Sequence, residues 1–228
     1  MTRNEALRLY RPIRAGIQRV LKAALHTCNA ADWKRGATQL GVWSPGRIEV
    51  QDESALDMVA DVGLFEPNQR GRRSYDRFLE RQGKDLDPAD LDLAERMRSA
   101  RFPVFRIIGR HELAGVWVDD VLNESQRIWI LDQGLEASAP TGLEFGLRLF
   151  DAGQFHAGFG IVVPADEEFT RLCIQARRKG DRLPVRHSLA ASLYAEAIWA
   201  DTMAAVEQEL ANMMRQPRER RRSSTRTR

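Results

Sequence analysis

The sequence predicts an α+β fold: a small five-stranded antiparallel meander, rolled up like a barrel, flanked by N- and C-terminal helices. Three observations carry this. Apolar residues recur at three- and four-residue steps over residues 7–28 and again beyond 165, lining one helix face. Between residues 103 and 164 the period changes to short β-branched and aromatic runs. Glycine, asparagine and aspartate punctuate those runs, as turns between paired strands require.

The first helix carries Leu7, Tyr10, Ile13, Ile17, Val20, Leu21 and Cys28 on one face and Arg8, Arg11, Arg19 and Lys22 on the other. Proline removes a ladder donor in a helix interior, so the regular part is expected to begin near Pro12. Shorter helices are predicted after Asp32, after Ser54 as N-cap, through Tyr75 and Phe78, and from Asp87-Pro88, where an acidic cap precedes proline at the first helical position. Five strands follow: 104–108, 115–118, 127–131, 145–150 and 155–163. Closed on themselves they would make an SH3-like or OB-like barrel. Pro164 and Asp166 then open a helix that Gly180 closes, and a long helix from Ser188 to Arg215 is expected to stop at Pro217. The expected units are a helical region 1–102, a β-roll 103–164, helices packing on it over 165–215, and a disordered arginine-rich tail 216–228.

Composition narrows the chemistry. A hydrophobic fraction of 43% and a charged fraction of 29% are ordinary for a folded chain. The two cysteines, Cys28 and Cys173, form no CxxC pair, so a disulfide framework or a cysteine-rich zinc site is not expected. No apolar run approaches the ~18 residues of a membrane span, and the arginine-bearing start lacks the apolar core of a secretory signal, so a cytoplasmic location is expected. The net charge of +3 is unevenly spread: residues 215–228 hold seven arginines and one glutamate, leaving residues 1–214 at −3. Any functional surface of the roll is therefore expected to rest on shape and carboxylates, with the arginines left to the tail.

The runs Tyr75-Asp76-Arg77-Phe78-Leu79, Leu86-Asp87-Pro88, Arg101-Phe102-Pro103-Val104-Phe105 and Val116-Trp117-Val118-Asp119-Asp120-Val121-Leu122 resemble a group of uncharacterised bacterial proteins. In those proteins a helical hairpin leads into a small β-roll, and many carry a cysteine-rich SEC-C zinc motif at one end. The resemblance implies the fold and no catalytic residues, and the zinc motif has no counterpart in this chain.

No complete catalytic constellation is legible. His111-Glu112-Leu113-Ala114-Gly115 starts like HExxH but has glycine where the second histidine belongs. Asp119, Asp120 and Asp151, with Asp132, fall at predicted strand ends beside His156, a candidate rim site for a cation or acid–base pair. Adjacent aspartates on a strand point to opposite faces, which counts against Asp119 and Asp120 acting together. Neither cysteine has the context of a nucleophile. Ala37 to Val42 is similar to the lead-in of a helix-turn-helix, but Ser44-Pro45-Gly46 stands where the second helix should begin. Without metal, cofactor or nucleophile, the expected role is a non-enzymatic protein-binding or adaptor module acting on an unidentified protein partner. The alternative is weak, non-specific nucleic-acid association through Arg218, Arg220, Arg221, Arg222, Arg226 and Arg228. The 188–215 helix, longer than a compact body needs, suggests a homodimer.

Overall fold

The computed structural model describes residues 1–50, 52–123 and 126–223, with side chains as far as residue 208 except 206. Helix α1 (Arg3–His26) begins earlier than Pro12. Thr2 and Glu5 form a reciprocal capping box that satisfies two otherwise unpaired N–H groups. Burial of Ala6 and Tyr10 then carries the helix through the proline. Helix α2 (Ala30–Gln39) leads to a hairpin of two-residue strands, β1 (Trp43–Ser44) and β2 (Arg47–Ile48), which stands where a helix-turn-helix would have its second helix. Helix α3 (Glu53–Phe65) is capped by Asp52, whose carboxylate accepts from the Ala55 N–H, rather than by Ser54. Helices α4 (Ser74–Gln82) and α5 (Pro88–Met97) follow, the latter starting at Asp87-Pro88 as the sequence predicts.

The five predicted strands form within two residues of their expected bounds: β3 (Val104–Arg110), β4 (Val116–Asp120), β5 (Gln126–Ile130), β6 (Glu144–Asp151) and β7 (His156–Pro164). They close into a barrel of order β3-β4-β5-β7-β6, with β6 returning to β3. The expected antiparallel meander is corrected at one junction. Between β5 and β6 the chain makes a short helix, α6 (Gln133–Ser138), and crosses the barrel end instead of turning back. Strand β6 then pairs with β3, and β7 fills the remaining gap antiparallel to β6 and parallel to β5, with Ile130 opposite His156.

Phe105, Ile107, Val116, Val118, Ile128, Ile130, Phe145, Leu147 and Leu149 fill the barrel, with Leu135 of α6 against them. Each such side chain contributes roughly 1.5–3 kcal/mol when fully buried. Helices lean on the barrel along β6 and β7. Strand β6 is consequently buried on both faces from Glu144 to Phe150, and Gly146 lets Phe102 and Leu193 approach its backbone. Helix α7 (Glu167–Lys179) starts at Asp166 and ends on Gly180 in the left-handed region, as expected. Helix α8 (Leu189–Ser223) runs past Pro217, the expected stop. Proline removes one N–H and crowds the carbonyl four residues back, which disturbs a helix without always ending it. Of the tail residues, Arg226 and Arg228 lie outside the described residues, and Arg218, Arg220, Arg221 and Arg222 fall in the stretch of α8 whose side chains are not described.

Candidate binding face of the barrel

Period-2 alternation sorts the residues of β4 and β5. Val116, Val118, Asp120, Ile128 and Ile130 face inward, while Trp117, Asp119, Arg127 and Trp129 face out. Strand pairing sets Trp117 directly across from Trp129, and Asp119 between Arg127 on one side and Arg106 on the other. One row is aromatic and the next is charged. His111, in the loop joining β3 to β4, extends the aromatic row. Its ring stacks on Trp129 with centroids 3.8 Å apart and planes 9° from parallel, and it lies 4.5 Å from Trp117.

The loop is held firmly. Arg3 donates to the Leu113 carbonyl at 2.9 Å and to Glu136 at 2.6 Å, and the Gly115 N–H donates to the other Glu136 oxygen at 3.0 Å. The hydrogen bond from Arg3 is the largest influence holding the Glu136 carboxyl below its ordinary range. Both indole N–H groups are engaged, Trp129 with the Ala114 carbonyl at 2.7 Å and Trp117 with Glu112 at 3.2 Å. The cations on this face are also engaged: Arg106 Nε donates to Glu144 at 2.9 Å, and Arg127 lies 3.7 Å from Asp119. Arginines therefore sit on the body of the roll as well as in the tail, against the sequence expectation.

The rim residues divide. Asp120 is fully buried and accepts from Arg101 at 2.5 Å, from Asn123 at 2.8 Å and from the Leu122 N–H. Asp119 faces outward among arginines, and Asp132 caps α6 through the Leu135 N–H. Asp151 and His156 do meet, directly paired across β6 and β7, though Asp151 also accepts from the Gly153 N–H at 2.7 Å. Among the described residues no three His, Cys, Asp or Glu side chains gather as a metal site needs. Burial pushes the Cys28 thiol up to about 11 and raises Cys173 as well, away from thiolate chemistry.

His111 and His156 share one electrostatic property. Burial lowers both below the ordinary histidine value, with Glu112 and Asp151 respectively opposing the shift. The Leu113 N–H donates to His111 Nδ1 at 3.0 Å, so in the neutral ring the proton sits on Nε2. A depressed folded-state value means that the unfolded chain binds the extra proton more readily. The stability these rings contribute is full above their ordinary value, about 6.5, and is lost as pH falls through the lower folded-state values. Urea unfolding at pH 7.5 and 5.5 is expected to show a lower stability at pH 5.5. The pH-dependent part should shrink in His156→Gln; an unchanged pH dependence in that variant would contradict the assignment.

Sequence reasoning missed the ion cluster between barrel and helices. On β6, Arg148 Nε lies 2.9 Å from both Asp61 oxygens, and its Nη2 donates to Glu66 at 2.7 Å. Its guanidinium sits 5.1 Å from the Phe65 ring centre and 5.5 Å from that of Phe102. The available signal was an arginine inside an otherwise apolar strand, Phe145 to Phe150, which has to find a carboxylate elsewhere.

A family model described as "Family of unknown function (DUF7986)" matches residues 4–177. The chain belongs to that family. The DUF7986 match takes in α1 to most of α7, including the whole barrel and the His111–Trp117–Trp129 face, and leaves α8 outside. No curated protein and no solved structure matches the chain. Among the described residues, no helix is long and apolar enough to cross a membrane.

Proposed function

We propose that the protein is a non-enzymatic binding module that takes a protein partner on the outer face of β4 and β5. The observation that carries this reading is the pairing of Trp117 with Trp129 beside the Arg106–Asp119–Arg127 row. The supporting helices lean on the other strands, β6 and β7. Tryptophan and arginine are the residue types most enriched where protein interfaces concentrate their energy. The partner that fits presents an apolar side chain to the indoles and mixed charge to the adjacent row. The strand order, with the third and fifth barrel strands parallel and a helix between the third and fourth, follows the connectivity of an OB barrel. There the second and third strands, with the loop joining the first two, form the ligand face. That analogy bears on where a ligand sits and leaves its identity open.

A second reading, single-stranded nucleic acid on the same face, is favoured by the aromatic row. It is weakened by the carboxylates, since Glu144 and Asp119 already neutralise the arginines that would meet phosphates. Binding through the arginine-rich end of α8 belongs to this reading.

A photo-reactive amino acid replacing Arg127, in the full chain in its native cell, tests the proposal. One protein should be captured from position 127 and not from position 172, where Leu172 is exposed on α7. Trp117→Ala is expected to weaken binding of that protein by about tenfold or more, near 1.4 kcal/mol. Equal capture from both positions would overturn the proposal, and capture of nucleic acid instead would favour the second reading.

A further inference from the structure

Helix α8 carries an apolar surface that the body leaves uncovered. Trp199 is 65% exposed and Met203, one turn on, is 40% exposed. Beside them the β1–β2 hairpin, the start of α3 and the first turns of α8 enclose a groove of about 770 Å³. Its floor includes Val42, Met58 and Ile198, and its polar lining includes Glu49, Asp52 and Asp201 against the single cation Arg47. Arg47 is already paired with Glu49 at 2.6 Å, so the groove is acidic.

Two features of the sequence say what covers this surface. Trp199, Met203, Val206, Leu210 and Met213 follow one another at steps of four, three, four and three, the spacing of a seam between two helices. The charge along α8 is also polarised. Residues 189–209 hold four carboxylates and no lysine or arginine, whereas residues 210–223 hold five arginines and one glutamate. A parallel partner would set like charge against like. An antiparallel copy sets each basic end beside an acidic half and abreast of the acidic groove.

From these observations we infer that two copies of the chain pair antiparallel through α8, with the seam centred near residue 206, so that residues 210–217 of one copy, Arg215 among them, lie along the groove of the other. The contact is isologous, so it closes as a two-fold dimer and leaves no unfilled groove to propagate. It uses a surface separate from the barrel face, so either can fail without the other.

Sedimentation equilibrium of the full chain should return a dimer whose affinity falls with added salt. Trp199→Glu should weaken it by at least ~100-fold, the loss expected for an interface anchor, while thermal unfolding of the monomer stays unchanged because the side chain is exposed. Asp201→Arg and the double variant Arg215→Glu with Arg218→Glu should each dimerise poorly alone and associate when mixed. Spin labels at Glu196→Cys, in a background with Cys28 and Cys173 replaced by alanine, should lie about 30 Å apart in an antiparallel pair and about 10 Å apart in a parallel one. A monomer at the highest soluble concentration, a dimer indifferent to Trp199→Glu, or the short label distance would overturn the inference.

Discussion

Replacing Arg148 with methionine is expected to cost about 3–5 kcal/mol of stability, because it leaves a buried carboxylate without its counter-ion. The side chain is only 4% exposed, as is Asp61, and both lie where β6 meets α3. Burial raises the Asp61 carboxyl above its ordinary range, with Arg148 as the chief opposing influence. Tyr194 of α8, also buried beside Asp61, has its hydroxyl pushed well above its usual value, first by desolvation and then by that carboxylate. The cluster therefore joins the barrel to two helices, and a large part of a typical domain's stability, about 5–15 kcal/mol, depends on one cation.

The mechanism can be separated from a simple packing defect. Arg148→Lys keeps the charge but loses the planar fork that reaches Asp61 and Glu66 together, and is expected to fall between wild type and methionine. Adding Asp61→Leu to Arg148→Met should recover much of the loss, since replacing both partners removes the uncompensated charge. The pH dependence has a definite sign. With the cation gone, the Asp61 value rises further, and a group with a raised folded-state value favours folding at low pH and loses that favour as pH rises through it. The deficit of Arg148→Met should therefore narrow as pH falls from 8 towards 5. Urea unfolding measures all of these, and a single-variant cost below about 1 kcal/mol would show that the cluster is not what holds the layers together.

Gly115→Ala is expected to be the second severe change, at about 3 kcal/mol or more. Two effects coincide there. Gly115 has φ +79°, a region that costs a side chain roughly 1–2 kcal/mol. An added Cβ would also overlap the Ile130 carbonyl oxygen and approach the Leu131 Cα to 2.8 Å, which forces a backbone shift worth about 1–3 kcal/mol. Gly142→Ala supplies the control, because φ is +89° there but nothing lies within 4 Å, so only the conformational cost remains. If the two variants lose equal stability, the close approach of the 111–115 loop to β5 is not a constraint. The loop position matters for function as well, since it places His111 on Trp129 and the Gly115 N–H on Glu136. A Gly115→Ala protein that still folds should therefore lose partner capture along with stability.

Local periodicity made much of the fold legible. The alternation in Val116-Trp117-Val118-Asp119-Asp120 put Asp119 and Asp120 on opposite faces before any contact was known, and the structure buries Asp120 while leaving Asp119 at the surface. Asp87-Pro88 marked a helix start through proline at the first position, with no capping bond from the Asp87 side chain, and Asp166 to Gly180 marked both ends of α7 because capping chemistry is local. The outward placement of Trp117 and Trp129 obeys the same alternation but was recognised only in the structure, and which strands lie beside each other is a long-range matter. The strand order of the barrel, with β7 between β5 and β6 and parallel to β5, was therefore missed. The clue was length: the stretch between β5 and β6 holds α6 and is too long for a tight hairpin, which takes two to five residues.

What the sequence determined by itself is most of the element list: the five barrel strands, the helices other than α6 and most of their boundaries, all set by hydrogen bonding and side-chain spacing within a few residues. What only the tertiary structure decided is which charges meet and which surfaces stay bare. Asp61 and Arg148 are 87 residues apart in the chain, and the energy that makes their pairing matter exists only once folding has removed both from water. The half-buried aromatic row of the barrel and the uncovered Trp199 on α8 have the same origin, since exposure is settled by what packs nearby.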